Sequence, residues 1–233
     1  MKKLIETQEE FKTRVFGNIK PNKRYANYIT TEVVKSDCYR MKSNQFNEYD
    51  AIFDIGANIG IFSIYANSIF PNTPIIAFEP TPQTFGYLQE NIKNYCPSVK
   101  AEKYGVGEKT AMYDVFKRTD SFTGDWCIGF SHKDTNRLSD EKALLLSIEE
   151  FIERLPNVKD YFVKLDCEGG EMAFLNSEAG RRFLLNAKTA VIEVHCWKEK
   201  KSVLIQKCYD IFGNDIEIAK AMSDTFMVHY SRK

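Results

Sequence analysis

Two carboxylates stand where two consecutive apolar runs stop: Asp54 in AIFDI, and Glu79 in PIIAFE, 25 positions later. Between the runs lies Gly56-Ala57-Asn58-Ile59-Gly60. Gly56 has access to backbone angles closed to other residues and leaves room for a ligand against the main chain, while Gly60 lets the following helix pack closely. A dinucleotide would require G-x-G-x-x-G, and the middle glycine of that run is missing here. Asp54 would also repel a pyrophosphate, whereas a cation is comfortable beside it. Glu79 is placed to accept hydrogen bonds from both hydroxyls of a ribose. A ligand with a ribose, a cationic end and no phosphate satisfies both acids. S-adenosylmethionine, carrying an ammonium and a sulfonium, is such a ligand.

A second acidic group follows in KLDCEGGE, with Asp166 ending an apolar run and Glu168 and Glu171 just beyond it. Glutamates near a helix N-terminus favour its dipole, which accounts for Glu171 and extends to Glu168. Asp166 is different, because a carboxylate at a buried strand end needs a partner. In VIEVHCW, strand periodicity puts Glu193 and His195 on one face. His195 is one of three histidines, with His132 and His229.

The elements that would position these groups alternate between strand-like and helix-like patterns from residue 50 to about 212. AIFDI, PIIAFE, VKAEKY, YFVKLD and TAVIEVH read as strands, and IEIAKA and TFMVHY as two closing strands joined by a short turn. IGIFSIYANSIF, TPQTFGYLQENIKNY and EKKSVLIQKCYDIFG read as helices, with Thr81 and Pro82 opening the second and Gly213 closing the third. This order implies an α/β fold, a mostly parallel sheet with helices on both faces and an antiparallel strand at the end. Ligands of such sheets bind outside the carboxyl ends of the strands, near the topological switch point. Residues 1–48 show no clear periodicity, and residues 117–142 form a polar insertion; neither reads as an independent domain.

In FDIGANIGIFSIYA, IIAFEPTPQTFGYLQENI and LLLSIEEFI…DYFVKLDCEGGEMAFL, which occur in this order, the chain resembles the FkbM-type S-adenosylmethionine-dependent methyltransferases over roughly residues 50–196. The resemblance implies a Rossmann-like class I methyltransferase sandwich, with seven strands of which one is antiparallel. It assigns Asp54, Gly56, Ala57, Asn58, Gly60 and Glu79 to the cofactor, puts Gly105 and Val106 near the adenine, and makes Asp166 a cofactor-side residue. The domain proper would then span 49–233, with residues 1–48 and the insertion covering the acceptor. Phe122, Trp126 and Phe130 would serve for stacking or for anchoring the insertion. The reaction expected is O-methylation of a sugar, glycan precursor or natural product. An alcohol acceptor loses its proton during transfer, and a histidine can take it. That role falls to His195, with Glu193 or Glu168 orienting the imidazole or binding the acceptor. A divalent metal held by Asp166, Glu168, Glu193 and His195 is a rival arrangement that the spacing does not demand, so no residue is assigned to a metal.

Composition narrows the alternatives. The chain has 233 residues, enough for one sizeable core, and its 32 Lys+Arg balance 32 Asp+Glu, which gives no global electrostatic case for nucleic acid or an anionic membrane. No window is long and apolar enough to span a bilayer, no signal peptide is evident, and the six cysteines form no C-x-x-C pair. A cytoplasmic enzyme with a small-molecule or glycan acceptor is the expectation, and nothing here specifies its oligomeric state. A nicotinamide-dependent oxidoreductase is the alternative that the missing glycine disfavours. A non-catalytic interaction module is the other, and the intact Asp54–Gly60 and Glu79 set counts against it.

Overall fold

A computed structural model describes residues 6–118, 126–128, 136–196, 200–220 and 225–232. The N-terminal segment is helical, which its sequence does not announce. Helix α1 (Gln8–Val15) opens with a capping box between Thr7 and Glu10, and α2 (Lys23–Thr30) is capped by Asn22 and runs into a π-helical turn, Thr31–Lys35. Each eight-residue helix buries only two or three side chains, too few for a readable period.

Beyond it come β1 (Ala51–Ile55), α3 (Ile61–Ile69), β2 (Ile75–Phe78), α4 (Pro82–Tyr95), β3 (Lys100–Glu102) and β4 (Gly105–Val106). Next are β5 (Ala111–Arg118), β6 (Trp126–Ile128), β7 (Asn136–Leu146), α5 (Ile148–Glu153), β8 (Tyr161–Leu165), α6 (Glu171–Asn176) and α7 (Glu178–Asn186). The chain closes with β9 (Thr189–His195), α8 (Lys201–Phe212), β10 (Ile216–Lys220) and β11 (Thr225–Ser231).

Seven strands form the main sheet in the order β10-β11-β9-β8-β1-β2-β3. Strands β1, β2, β3, β8 and β9 are mutually parallel, and β11 runs antiparallel to both its neighbours. The expected seven-stranded sheet with one antiparallel strand is therefore present. Chain direction across the sheet reverses between β1 and β8, so the carboxyl ends of these two strands frame the crevice where such sheets take ligands. Both are buried at every position, as parallel strands covered on two faces are.

Alternate residues of the strands enter two separate apolar cores. One holds Ile52, Phe162 and Val191 under α1, α2, the π-turn, α3 and α4; the other holds Phe53, Val163 and Ile192 under α5 to α8. Residues 6–48 are thus part of the first core: Phe11 meets Tyr65 edge-on at 5.9 Å, and Tyr39 meets Phe62 at 5.2 Å. Burying one such aromatic side chain fully contributes about 2–3 kcal/mol.

The described residues of the polar insertion lie in strands. Strands β5, β6 and β7 extend into residues 117–142 and form, with β4, a second sheet in the order β4-β7-β5-β6. Phe122, Phe130 and His132 lie outside the described residues, and of Trp126 only its place in β6 is described.

Candidate functional site

Strands β1 and β8 pair in parallel register and end side by side at Ile55 and Leu165. Gly56 follows β1 with φ +81°, and a Cβ there would lie 1.7 Å from the carbonyl oxygen of Asp166. The glycine is therefore demanded by the loop after β8, which fills the space the sequence reading reserved for a ligand. Gly60, at φ +88°, leads into α3, and its missing side chain admits Leu88 Cδ1 of α4 at 2.8 Å from where a Cβ would be. The expected close packing is present, with α4 as the partner. Ala57 is buried, and its amide donates to Phe78 O at 2.9 Å.

The cation beside Asp54 is internal. Asp54 is fully buried; Ser63 Oγ donates to its Oδ2 at 2.6 Å, and its Oδ1 lies 3.2 Å from Lys164 Nζ. Lys164, itself 3% exposed, also donates to Gly56 O and stands 3.7 Å from Asp166 Oδ2. Burial works against its charge, but Asp54 and Asp166 outweigh that and hold its pKa above the ordinary lysine value. This corrects the reading of Asp54 as a carboxylate facing a ligand's cation: it neutralises a buried ammonium that ties the β1 and β8 ends together.

Glu79, just past β2, receives an amide on each oxygen, Asn58 N on Oε2 at 3.1 Å and Thr81 N on Oε1 at 2.9 Å. Burial raises its pKa, and the amides oppose that. The Thr81 hydroxyl engages the carboxylate as well, and of its roughly four acceptor sites one is left for a ribose hydroxyl. Asn58 has φ +52°, and its Oδ1 takes hydrogen bonds from Ile59 N at 2.8 Å and from the Tyr25 hydroxyl at 2.8 Å. Replacing Glu79 with alanine removes a charged acceptor worth about 1.5–3 kcal/mol per hydrogen bond. A roughly 10–100-fold loss of affinity for S-adenosylhomocysteine is expected by calorimetry, with a cooperative thermal transition retained. Unchanged affinity would remove the ribose assignment.

The second acidic group gathers around His195. Asp166 is held at Oδ2 by the Tyr39 hydroxyl at 2.8 Å, and this phenol is kept protonated by its burial and by Asp166 itself. Glu171, read from sequence as a helix-dipole residue, is completely buried instead. Its Oε1 accepts from Cys167 N at 2.7 Å, its Oε2 accepts from Gly169 N at 3.0 Å, and Oε2 lies 3.3 Å from His195 Nδ1. Glu168, at φ +52° and half-exposed, places Oε2 3.6 Å from His195 Nε2. Burial opposes charge on His195, but Glu171, then Glu168 and Asp166, prevail and push its pKa up to about 11. Glu193 shares the end of β9 and has its pKa raised, first by burial and then by Asp166, with His195 pulling the other way.

Asp166, Glu171 and His195 offer ligand atoms within 4.8 Å of one another, the nearest approach to a metal-holding geometry among the described residues. Its make-up differs from the four-residue set expected, since Glu171 enters. Two amides already engage Glu171, and Lys164 already compensates Asp166. Gly105 and Val106 lie in β4, beside Leu145 and Leu146 of β7. A Cβ on Gly170 would stand 3.1 Å from Val106 O, so that strand borders the acidic loop. The expected groups therefore converge at one end of the sheet, except that Asp54 and Gly60 face inward. Lys164, Tyr25, Tyr39 and Glu171 join them.

The chain is similar to known proteins. A family model described as the methyltransferase FkbM domain matches residues 54–218. Methyltransferase 1 of Beauveria bassiana is 26% identical over 164 residues, 64% of this chain and 65% of that protein. The 31-O-demethyl-FK506 methyltransferase FkbM of Streptomyces tacrolimicus is 28% identical over 87 residues, 37% of this chain and 34% of that protein, so the chain spans less than two thirds of either relative. The hexuronic acid methyltransferase AglP of Haloferax volcanii is 24% identical over 172 residues, 72% of this chain and 66% of that protein. Among solved structures, the precorrin-6y C5,15-methyltransferase of Geobacter metallireducens superposes with a TM-score of 0.51 at 15% identity, covering 86% of this chain and 89% of that one. That likeness shows a class I methyltransferase fold. With the family's match running from the buried Asp54 of the glycine turn through the acidic loop after β8 into β10, the chain belongs to the FkbM methyltransferase family and is a member of the S-adenosylmethionine-dependent methyltransferases.

Proposed function

We propose that the protein transfers a methyl group from S-adenosylmethionine to a hydroxyl of a sugar, a glycan precursor or a natural-product scaffold. The observation that carries this reading is the carboxylate–imidazole arrangement at the ends of β8 and β9, one strand away from the glycine turn. Support for the acceptor class comes from relatives named for a hexuronic acid and for 31-O-demethyl-FK506.

The residues fit the donor. Glu79, a carboxylate buried at the end of β2 and oriented by the Asn58 and Thr81 amides, suits a ribose hydroxyl. Asp166, a quarter exposed, suits the ammonium of the methionine moiety. Gly56, Ala57, Asn58 and Gly60 shape the turn between them, and Gly105 and Val106 border the adenine side. When bound, S-adenosylmethionine supplies an electrophilic methyl whose departing thioether needs no proton. The protein's own task is to align the acceptor, which is worth several kcal/mol, and to take the proton of its hydroxyl. His195 takes it, and Glu168 and Glu193 flank the acceptor. Residues 6–48 and the second sheet cover the acceptor side; Tyr39 on Asp166 and Tyr25 on Asn58 tie that cover to the cofactor loops.

A methyl-transfer screen against nucleotide-activated sugars, glycan fragments and phenols tests the reading. Mass spectrometry should show the gain of one methyl group on a hydroxyl. Calorimetry should show binding of S-adenosylmethionine and S-adenosylhomocysteine and none of NAD. Failure to bind either sulfur nucleoside would overturn the assignment.

A further inference from the structure

Tyr39 belongs to the segment before the sheet, yet it is buried and its hydroxyl ends on the Asp166 carboxylate. The chain around it is a tight turn. Arg40 N donates to Asp37 O at 2.8 Å, and Lys42 N donates to the two oxygens of the Asp37 side chain at 3.3 and 3.2 Å. Asp37 and Arg40 have φ of +52° and +54°, left-handed angles that are uncommon outside glycine. Packing fixes the ring that this turn carries: Phe62 meets it edge-on at 5.2 Å, and Lys164 Nζ lies 5.6 Å from its centroid. Burial and Asp166 keep the phenol protonated, so towards a carboxylate it donates.

The carboxylate it meets is fixed at its base. Asp166 N donates to Ile55 O at 3.0 Å, and Asp166 O fills the space that a Cβ of Gly56 would need. Rotation of the side chain is the freedom left. The Tyr39 hydroxyl at 2.8 Å and the Lys164 ammonium at 3.7 Å both reach Oδ2 and settle that rotation. Oδ1 is then the oxygen offered by a side chain that is 24% exposed. Charge points the same way. Asp54 and Asp166 share Lys164, so the three together carry one net negative charge, and Lys164 stands closer to Asp54. His195 also feels Asp166, but less than it feels Glu171 and Glu168. A second ammonium at Asp166 balances the charge that remains.

We propose that Tyr39 is a positioning residue for the methyl donor: its hydroxyl fixes Asp166 Oδ2 so that Oδ1 meets the ammonium of the methionine moiety. The proposal rests on the methyl-transfer reading and extends the donor site to a residue outside the stretch 54–218 that the family model matches. The turn before the sheet thereby sets how firmly the amino-acid end of the donor is held, while Glu79 holds the ribose end independently.

Two nucleosides test this by calorimetry on the full chain. S-adenosylhomocysteine carries the amino-acid end, and 5′-methylthioadenosine has the same nucleoside and thioether without it. Tyr39→Phe keeps the ring and removes the hydroxyl. It should weaken S-adenosylhomocysteine about 10-fold, the lower end of what a hydrogen bond to a charged group is worth, and leave 5′-methylthioadenosine within about twofold. With Asp166→Asn already in place, Tyr39→Phe should cost about twofold or less, because the two residues act through one contact. Hydrogen exchange on the wild type carries the test should Tyr39→Phe fail to fold. Coupling is reciprocal, so at equal occupancy S-adenosylhomocysteine should slow the amides of Arg40 and Lys42 about fivefold more than 5′-methylthioadenosine does. Equal loss of both nucleosides in Tyr39→Phe, unchanged affinity for both, or equal protection of the turn by both overturns the proposal. A wild type that binds neither nucleoside would sink the donor reading and the role of Tyr39 with it. The expected selectivity in a chain that methylates no hydroxyl would sink the acceptor class alone.

Discussion

Lys164→Met should lower the unfolding free energy by about 3–5 kcal/mol, the cost of leaving a buried charge without its partner. Asp54 is fully buried, and Lys164 lies across from it in the β1–β8 register as well as in side-chain contact. Methionine fills similar space but leaves Asp54 with only Ser63 and withdraws the ammonium from Gly56 O and Asp166. At roughly 2–4 °C per kcal/mol for a chain of this size, the melting temperature should fall by about 6–20 °C. Chemical denaturation and thermal melts read this directly. Adding Asp54→Asn removes the stranded charge, so the double variant should recover at least half of the loss; residues in contact are the ones expected to couple in this way. A loss under about 1 kcal/mol in the single variant would show that Lys164 is not the counter-charge that holds the two strand ends together.

His195→Ala should reduce turnover by about 10²–10⁴-fold, the range for removing a positioned proton acceptor, with donor affinity changed less than about threefold. The sign of the accompanying pH effect follows from the surroundings of the ring. Its pKa is pushed up to about 11, so the neutral imidazole is scarce near pH 7 and grows as pH rises. The wild-type rate should therefore climb with pH through neutrality and into the alkaline range. Removing the charge of Glu168 lowers the imidazole's pKa, so the same rising limb should shift to lower pH in Glu168→Gln. A limb that stays in place, or a His195→Ala enzyme that keeps its turnover, would assign proton acceptance elsewhere, with Glu193 the next carboxylate on that strand face.

The parallel strands were readable because both of their faces are buried. AIFDI, YFVKLD and TAVIEVH appear as dense apolar runs, and their boundaries agree with β1, β8 and β9 to within a residue. Strand β5 was not readable, because its exposures run against its chemistry: Met112 is 57% exposed on a strand that buries Val115. The N-terminal helices are too short to display a period.

Within the site, the carboxylates were visible as residue types at strand ends, but which way each one faces was not. The pairing of Asp54 with Lys164 exists only through the strand register, which local sequence does not encode. A single lysine in the middle of YFVKL was the available signal, since a buried parallel strand tolerates a charge only when it is matched. Glu171 was masked by a sufficient local explanation, the helix dipole, which says nothing of a histidine 24 positions later. Tyr25 and Tyr39 had no signal at all, since aromatic residues in a weakly patterned segment are ordinary core material.

Tyr25 and Tyr39 also bear on how an experimenter should cut the gene. The family match begins at residue 54, which invites trimming everything before it. Such a truncation would strip away one side of an apolar core and take two phenols off Asn58 and Asp166, so the shortened chain should be insoluble rather than minimal.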